Sequence, residues 1–240
     1  MNRNSVTGLF AQTVRYNPPV DEVPIASCPR ISENAVIGFN SLVIGDVTIA
    51  DEVFIGFYNL IRADSASPFY IGPRTNIQDF VVVHSHPGQH ITVNGNKMAI
   101  FIEGDVSILH HAIPHGPLYI GRNTYIGHHV SIYGGTIGRN CVIMHHASIS
   151  NYVTIGDNRF VAPGEIIQTQ EQADRLPLVP VEYQNLNAQI VDHYLRLGRA
   201  YRENGICLAS SNQTCCEKCK PKDLASFEDS FSDGAASGIW

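Results

Sequence analysis

The sequence predicts a mainly β protein, a parallel β-helix built of hexapeptide repeats and followed by one C-terminal α-helix. Three observations predict it: aliphatic residues recur at every sixth position, glycine often follows them, and the period then changes to that of a helix. An amphipathic helix repeats at about 3.6 residues and a half-buried strand at about two, so neither explains the pattern. A period of six is typical of a β-helix in which each hexapeptide forms one flat wall.

The repeat extends through most of the chain, and three walls close each coil of eighteen residues. Each in-phase side chain should point inward and stack on its equivalent one coil away, at about 4.8 Å. The in-phase positions are Ile31, Ile37, Val43, Ile49, Ile55 and Ile61, then Ile71, Ile77 and Val83, then Ile102, Ile108, Pro114, Ile120, Ile126 and Ile132, and, after a slip of one residue, Ile137, Ile143, Ile149, Ile155, Val161 and Ile167.

Two insertions interrupt the repeat, one between Ile61 and Ile71 and a longer one between Val83 and Ile102. Within the longer one, ITVNGNKMAI alternates around Asn94-Gly95, which predicts a β-hairpin with a tight turn. Loops that break a regular scaffold often carry function.

These patterns divide the chain into four segments: a lead-in at 1–30, the β-helix at 31–168, a linker and helix at 169–205, and a polar tail at 206–240 that we expect to be disordered. The helix should extend from about Val181 to Glu203. Its apolar stripe, which should lie along the β-helix, consists of Leu186, Ile190, Tyr194, Leu197 and Tyr201.

Composition excludes several classes of function. The formal net charge of −6, without a basic cluster, argues against nucleic acid as a partner. No apolar stretch approaches the roughly 20 residues that span a membrane, and the N-terminus has no long apolar segment, so we expect no secretory signal. We therefore expect a soluble, cytoplasmic protein. Four of its six cysteines, which could bind a second metal or form disulfides, lie near the end: Cys207, Cys215, Cys216 and Cys219.

The repeat also assigns the histidines of ILHHAIPHG to the walls. We name the walls A, B and C after Ile71, Ile77 and Val83. His84 and His115 each follow a wall C position by one residue, on adjacent coils, so they should stand in register. Asp79 and His110 each follow a wall B position by two.

This placement predicts a metal site divided between subunits. His84 and His115 can share one ion, whereas His110, on another wall, can reach the pair of a neighbouring chain if three β-helices pack as a cyclic trimer. Three neutral imidazoles with one open position are typical of catalytic zinc. Arg62 and Asp79 would then lie beside the same interface as an ion pair between subunits.

The remaining histidines have simpler interpretations. His128 and His145 share the position of His110 on later coils. The wall C residues at the same level, Tyr133 and Ser150, cannot complete a ligand set. We interpret His128 and His145 as interfacial polar packing. The other candidates, interpreted as surface residues, are His111, His129, His146 and His193.

Several motifs resemble the γ-class carbonic anhydrases: Arg62-Ala-Asp64, Asn76-Ile-Gln78-Asp79, His84, and His110 with His115-Gly116-Pro117. The resemblance covers about residues 20 to 205. IIQTQEQADRLP and RENGICLA are similar, more narrowly, to the γ-class domain of cyanobacterial carboxysome assembly proteins. The resemblance implies a homotrimer of left-handed β-helices that hydrates CO2 reversibly to bicarbonate with a metal-bound hydroxide between subunits.

The resemblance also implies roles for individual residues. His84, His110 and His115 would bind Zn²⁺, or alternatively Fe²⁺ or Co²⁺. Gln78 would orient the bound hydroxide, Arg62 and Asp79 would pair between subunits, and Asp64 and Asn76 would support the site. Archaeal members carry a glutamate where this chain has Ser65, and the loop after His84 has no acidic residue. His86 and His90 in that loop, or buffer, could transfer the proton instead, since imidazole is the side chain most often used as a proton shuttle.

Two other functions stay open at this point. The chain could be a γ-type module that keeps its metal but acts in carboxysome assembly or binds bicarbonate, with shell or assembly proteins as partners and the carboxysome as its location. It could also be a hexapeptide-repeat acyltransferase, although one catalytic histidine would not explain three ligands in register.

Overall fold

The computed structural model describes residues 14–66 and 68–204, and parallel β-strands in a solenoid make up most of them. The predicted β-helix with a C-terminal helix is confirmed. The predicted tail and its four cysteines lie outside the described residues. No helix among residues 14–66 and 68–204 has the length and apolar character that a membrane span requires.

The elements, in chain order, are β1 (Val14–Arg15), β2 (Arg30–Ile31), β3 (Val36–Ile37), β4 (Leu42–Gly45), β5 (Val47–Ile49), β6 (Phe54–Ile55), β7 (Leu60–Ala63), β8 (Phe69–Ile71), β9 (Asn76–Ile77), β10 (Val82–Ser85), β11 (Ile91–Val93), β12 (Asn96–Met98), β13 (Ile100–Ile102), β14 (Ser107–Ile108), β15 (Ile113–Ile120), β16 (Tyr125–Ile126), β17 (Ser131–Ile137), β18 (Val142–Ile143), β19 (Ser148–Ile149), β20 (Thr154–Ile155), β21 (Phe160–Val161), β22 (Ile166–Ile167), α1 (Gln170–Asp174), a 3₁₀ turn (Val181–Tyr183) and α2 (Leu186–Glu203).

Strand pairing confirms the three walls. Ile71 pairs with Ile102 on wall A, Ile77 with Ile108 on wall B, and Ile61 with Val83 on wall C. Wall B is a parallel sheet of seven strands in the order β21-β18-β16-β14-β9-β6-β3. Walls A and C join into one sheet because β15 and β17 each turn a corner from wall C to wall A.

The core lies inside the coils. Ile71, Ile77, Ile102 and Ile108 have no exposed surface, as the period of six predicts. Each fully buried isoleucine contributes about 1.5–3 kcal/mol of transfer free energy. The stack of aliphatic side chains therefore fixes which residues face outward.

Separate elements cover two of the three walls. The hairpin β11–β12, with Asn94 and Gly95 at positive φ in its turn, confirms the predicted hairpin. It packs on wall A over the stacked rings of Tyr70, Phe101 and Tyr119.

Helix α2 covers wall B. The ring centroid of Phe54 lies 5.0 Å from that of Tyr194 and 5.8 Å from that of Tyr201. The α-helix begins at Leu186, five residues later than predicted, because the chain first makes a 3₁₀ turn at Val181–Tyr183.

Wall C keeps an outer row of partly or fully exposed side chains, one residue before each in-phase position. Its members are Leu42, Leu60, Val82, Ile113, Ser131, Ser148 and Ile166. The next row along the same wall carries Arg62, His84 and His115. The wall with the predicted histidine pair is thus the one that neither the hairpin nor α2 covers.

Candidate metal centre

His84 on β10 and His115 on β15 stand directly opposite each other in the parallel ladder, as predicted. His84 Nδ1 lies 3.4 Å from His115 Nε2. Two nitrogens bound tetrahedrally to one zinc at 2.0–2.1 Å are about 3.3–3.4 Å apart. The pair therefore fits a zinc ion in both donor chemistry and spacing.

The other nitrogen of each ring has its own partner. His115 Nδ1 lies 3.0 Å from the Gly116 carbonyl, which can only accept, so this nitrogen carries the proton and Nε2 keeps its lone pair. His84 Nε2 lies 2.8 Å from Ser65 Oγ and 3.4 Å from Asp64 Oδ1, a buried carboxylate oxygen. If the ring donates from Nε2 to either oxygen, the lone pair of Nδ1 faces that of His115 Nε2, and a cation between the two would relieve their repulsion.

Burial, together with nearby charges, favours the neutral form of both rings. Burial lowers the pKa of His84, and the Arg62 guanidinium lowers it further, against the opposing effect of Asp64. Burial is also the main cause of the lowered pKa of His115, to which His86 and His84 add. A metal ion binds only neutral imidazole, so protons compete weakly for this pair.

Arg62 pairs with Asp64 within the chain. Its Nε donates to Asp64 Oδ2 at 2.9 Å, and a terminal nitrogen lies 2.8 Å from the same oxygen. The carboxylate thus connects Arg62 to His84. Asp79, its predicted partner from a neighbouring subunit, accepts the Phe57 backbone N–H at 2.8 Å within the chain. The Arg62–Asp79 pair between subunits stays a prediction.

His110 lies at the corner between walls B and C, with 36% of its side chain exposed. The Asp79 backbone N–H donates to His110 Nδ1 at 3.1 Å, and Asp79 Oδ2 lies 3.3 Å from the same nitrogen. That hydrogen bond leaves the proton of the neutral ring on Nε2. Metal binding through Nε2 would need the other tautomer, in which Nδ1 donates to the Asp79 carboxylate, as carboxylates commonly do for metal-binding histidines.

Asn76 and Gln78 lie on wall B, on or beside β9, close to His110 in the ladder. Gln78 Nε2 donates to Asn76 Oδ1 at 3.2 Å, and Asn76 Nδ2 donates to Ser107 Oγ at 2.8 Å. Both side chains are buried. The structure therefore places the predicted site residues in two groups, His84 and His115 with Asp64 on wall C, and His110 with Gln78 and Asp79 on or beside wall B. Within the described residues, no three His, Cys, Asp or Glu side chains form a group that could hold a metal.

Sequence reasoning missed three contacts of the histidine pair. Ser65 Oγ lies 2.8 Å from His84 Nε2, and the Tyr133 ring stacks on His115 at 5.2 Å and 17°. The His86 ring lies 4.5 Å from that of His115. The stacking of Tyr133 on His115 was predictable, because the repeat places Tyr133 at the same wall position one coil later. No sequence pattern indicates the rotamer that brings Ser65 to His84.

Comparison with known proteins identifies the family. No protein-family model matches the chain. A carbonic anhydrase of Methanosarcina thermophila is 33% identical over 202 residues, which cover 79% of this chain and 81% of that protein. The chain belongs to the γ-class carbonic anhydrase family.

The chain is also similar to two proteins with other names. The carboxysome assembly protein CcmM of Nostoc is 36% identical over 183 residues, 76% of this chain. The alignment covers 32% of CcmM, so the γ-class chain spans about a third of that relative. A proposed acetyltransferase structure from Bacillus cereus shares the hexapeptide-repeat fold, with a TM-score of 0.61, 25% identity and coverage of 74% of this chain and 94% of that one.

Proposed function

We propose that this chain is a carbonic anhydrase that interconverts CO2 and bicarbonate at sites between the subunits of a homotrimer of left-handed β-helices. His84 and His115 of one copy and His110 of the next would hold Zn²⁺, with Fe²⁺ or Co²⁺ as alternatives. The observation that carries the proposal is the pair of imidazole nitrogens 3.4 Å apart, supported by the archaeal relative named carbonic anhydrase.

When bound, the ion supplies hydroxide at neutral pH, because it lowers the pKa of a bound water to about 7. The residues of the chain would do the rest. Asp64 and Ser65 would hold the Nε2 proton of His84, and the Gly116 carbonyl would hold the Nδ1 proton of His115. The Asp79 carboxylate would accept a hydrogen bond from Nδ1 of His110. The Gln78 amide, fixed by Asn76, lies one residue from Asp79 and would orient the reacting oxygen by a hydrogen bond.

Proton release needs an acceptor at the surface. The acidic position of archaeal members is Ser65 here, and the hydroxyl contacts His84 directly. His86 and His90 are both exposed. These two imidazoles, or buffer, would receive the proton.

The test combines metal analysis with stopped-flow CO2 hydration of the purified, metal-loaded protein. We expect one metal per subunit and a hydration rate far above that of buffer. The His84→Ala variant should lose both, whereas His193→Ala on α2 serves as the matched control. Wild-type protein that binds no metal would contradict the proposal.

The second candidate is a γ-type assembly or bicarbonate-binding module in the carboxysome, which the CcmM relative favours. A full metal complement with a rate indistinguishable from buffer would support it, as would co-purification with shell proteins. Under either function we propose a cytoplasmic protein that associates with carboxysomes. Turnover of acetyl-CoA would instead indicate the acyltransferase that the Bacillus structure suggests.

A further inference from the structure

The loop after β10, from His86 to His90, lies against the candidate metal centre without being buried. All five of its side chains are exposed. Gly88 in the loop has a φ of 68°, and no atom of the described residues comes within 4 Å of the position that a Cβ would occupy there. Yet the His86 ring lies against that of His115, with 4.5 Å between the centroids and 60° between the planes. Burial of side chains therefore does not hold this loop in place.

Tyr152, at the corner between walls C and A, reaches the loop from a later coil. Its hydroxyl donates to Gln89 Oε1 at 2.9 Å, although the two residues are 63 positions apart in the chain. Its ring lies directly over Gly134, because a Cβ on that glycine would come within 2.5 Å of two ring atoms. Gly134 also has a φ of 72°. Glycine therefore suits this position both in backbone conformation and in the space that it leaves for the ring.

Through these two contacts one side chain joins both aromatic neighbours of His115. The hydrogen-bonded Gln89 lies three residues after His86 in the loop. The glycine beneath the ring directly follows Tyr133, which stacks on His115 at a centroid distance of 5.2 Å and an angle of 17°. The surroundings of the His115 imidazole therefore come from two segments of the chain, and Tyr152 contacts both.

We propose that Tyr152 is a positioning residue: it ties the loop 86–90 to the solenoid and so holds the His86 ring against the His115 imidazole. A tyrosine ring is ordered at low conformational-entropy cost because it has two χ angles, and the contact with Gly134 restricts them further. A metal-binding histidine depends on the groups around it for its orientation. The consequence for metal affinity rests on the proposed function, whereas the tie itself does not.

Hydrogen exchange with mass spectrometry on the metal-free, full-length protein tests the tie. Tyr152→Phe keeps the ring over Gly134 and removes only the hydroxyl. Peptides from the segment 86–93 should then exchange about fivefold faster, the effect of losing about one hydrogen bond. Gln89→Ala should have the same effect. The double variant should exchange no faster than either single one, because all three lack the same bond.

Two further variants distinguish the tie from a general loosening of the fold. Gln89→Glu keeps an acceptor for the tyrosine hydroxyl, so the segment 86–93 should exchange no faster than in wild type. Tyr183→Phe is the matched control, because it removes a tyrosine hydroxyl on the wall B side and keeps the stacking on Phe160. It should leave exchange of the loop unchanged. Circular dichroism checks the folding of every variant.

A chelator-competition titration with Zn²⁺ measures the consequence for the centre. Tyr152→Phe and Gln89→Ala should each weaken Zn²⁺ binding by about fivefold, because only molecules with the loop in place bind as wild type does. Wild-type exchange in Tyr152→Phe, or additive effects in the double variant, would overturn the tie. Faster exchange with unchanged Zn²⁺ affinity would overturn the positioning role. A wild-type protein that binds no Zn²⁺ would contradict the proposed function, and the exchange measurements would still decide the tie.

Discussion

Removal of His110 should abolish tight metal binding while the coil stays folded. The His110→Ala variant keeps the pair His84 and His115, whose nitrogens come from one chain, and deletes the ligand expected from the neighbouring copy. Structural zinc sites bind with about 10–16 kcal/mol from four ligands, or about 2.5–4 kcal/mol for each ligand. Loss of one ligand should therefore weaken binding by about 10²–10³-fold.

The cost to folding should be small by comparison. His110 contacts Asp79 through one nitrogen, stacks on His128 at a centroid distance of 5.2 Å, and is partly exposed. Loss of these contacts should cost about 1 kcal/mol in the free energy of unfolding. A metal-competition titration with a chromophoric chelator, together with denaturant unfolding of the metal-free protein, measures the two effects separately.

His128→Ala is the matched control because His128 occupies the same corner position one coil later and stacks on His145. The wall C residue at the level of His128 is Tyr133 and not a histidine. Metal affinity of His128→Ala should therefore stay within about threefold of wild type, a difference under 1 kcal/mol. Affinity for His110→Ala equal to that of wild type, or an equal loss in both variants, would refute the ligand assignment.

Three further predictions concern the support of the site and the core. Asp64→Asn should lower metal affinity by about 10–100-fold, since the amide cannot hold His84 as the carboxylate does; unchanged affinity in the same titration would exclude that role. Ile108→Ala, at a fully buried position, should cost about 2–5 kcal/mol in guanidinium unfolding, and a loss below 1 kcal/mol would contradict the stacked core. Burial, and to a smaller extent the charge of His145, lowers the pKa of His128 to about 4, below the value in the unfolded chain. The contribution of His128 to the free energy of unfolding is therefore complete above about pH 6.5 and decreases as the pH falls from there. Wild-type protein should lose unfolding free energy between about pH 7 and pH 5, and the His128→Gln variant should lose about 1 kcal/mol less, after allowance for the exposure of His128. Equal losses for the two proteins in urea unfolding would exclude this contribution.

The period of six made the fold and half of the site predictable. A residue's wall and level follow from its count along the repeat, so the register of His84 with His115 and the hairpin around Asn94 were both confirmed. The partners of Arg62 and His84 were not predictable. Rotamers at a corner depend on neighbours from other coils, which no local pattern specifies. The position of α2 over wall B likewise depends on tertiary packing.

The continuous strand β15 joins two parts of the molecule that serve different purposes. Its first half presents His115 on wall C, and its second half carries Tyr119 beneath the hairpin on wall A, with a register shift between His115 and Leu118. Tyr119 follows His115 by four residues in this one strand. A substitution that displaces Tyr119 beneath the hairpin is therefore expected to shift the His115 imidazole as well.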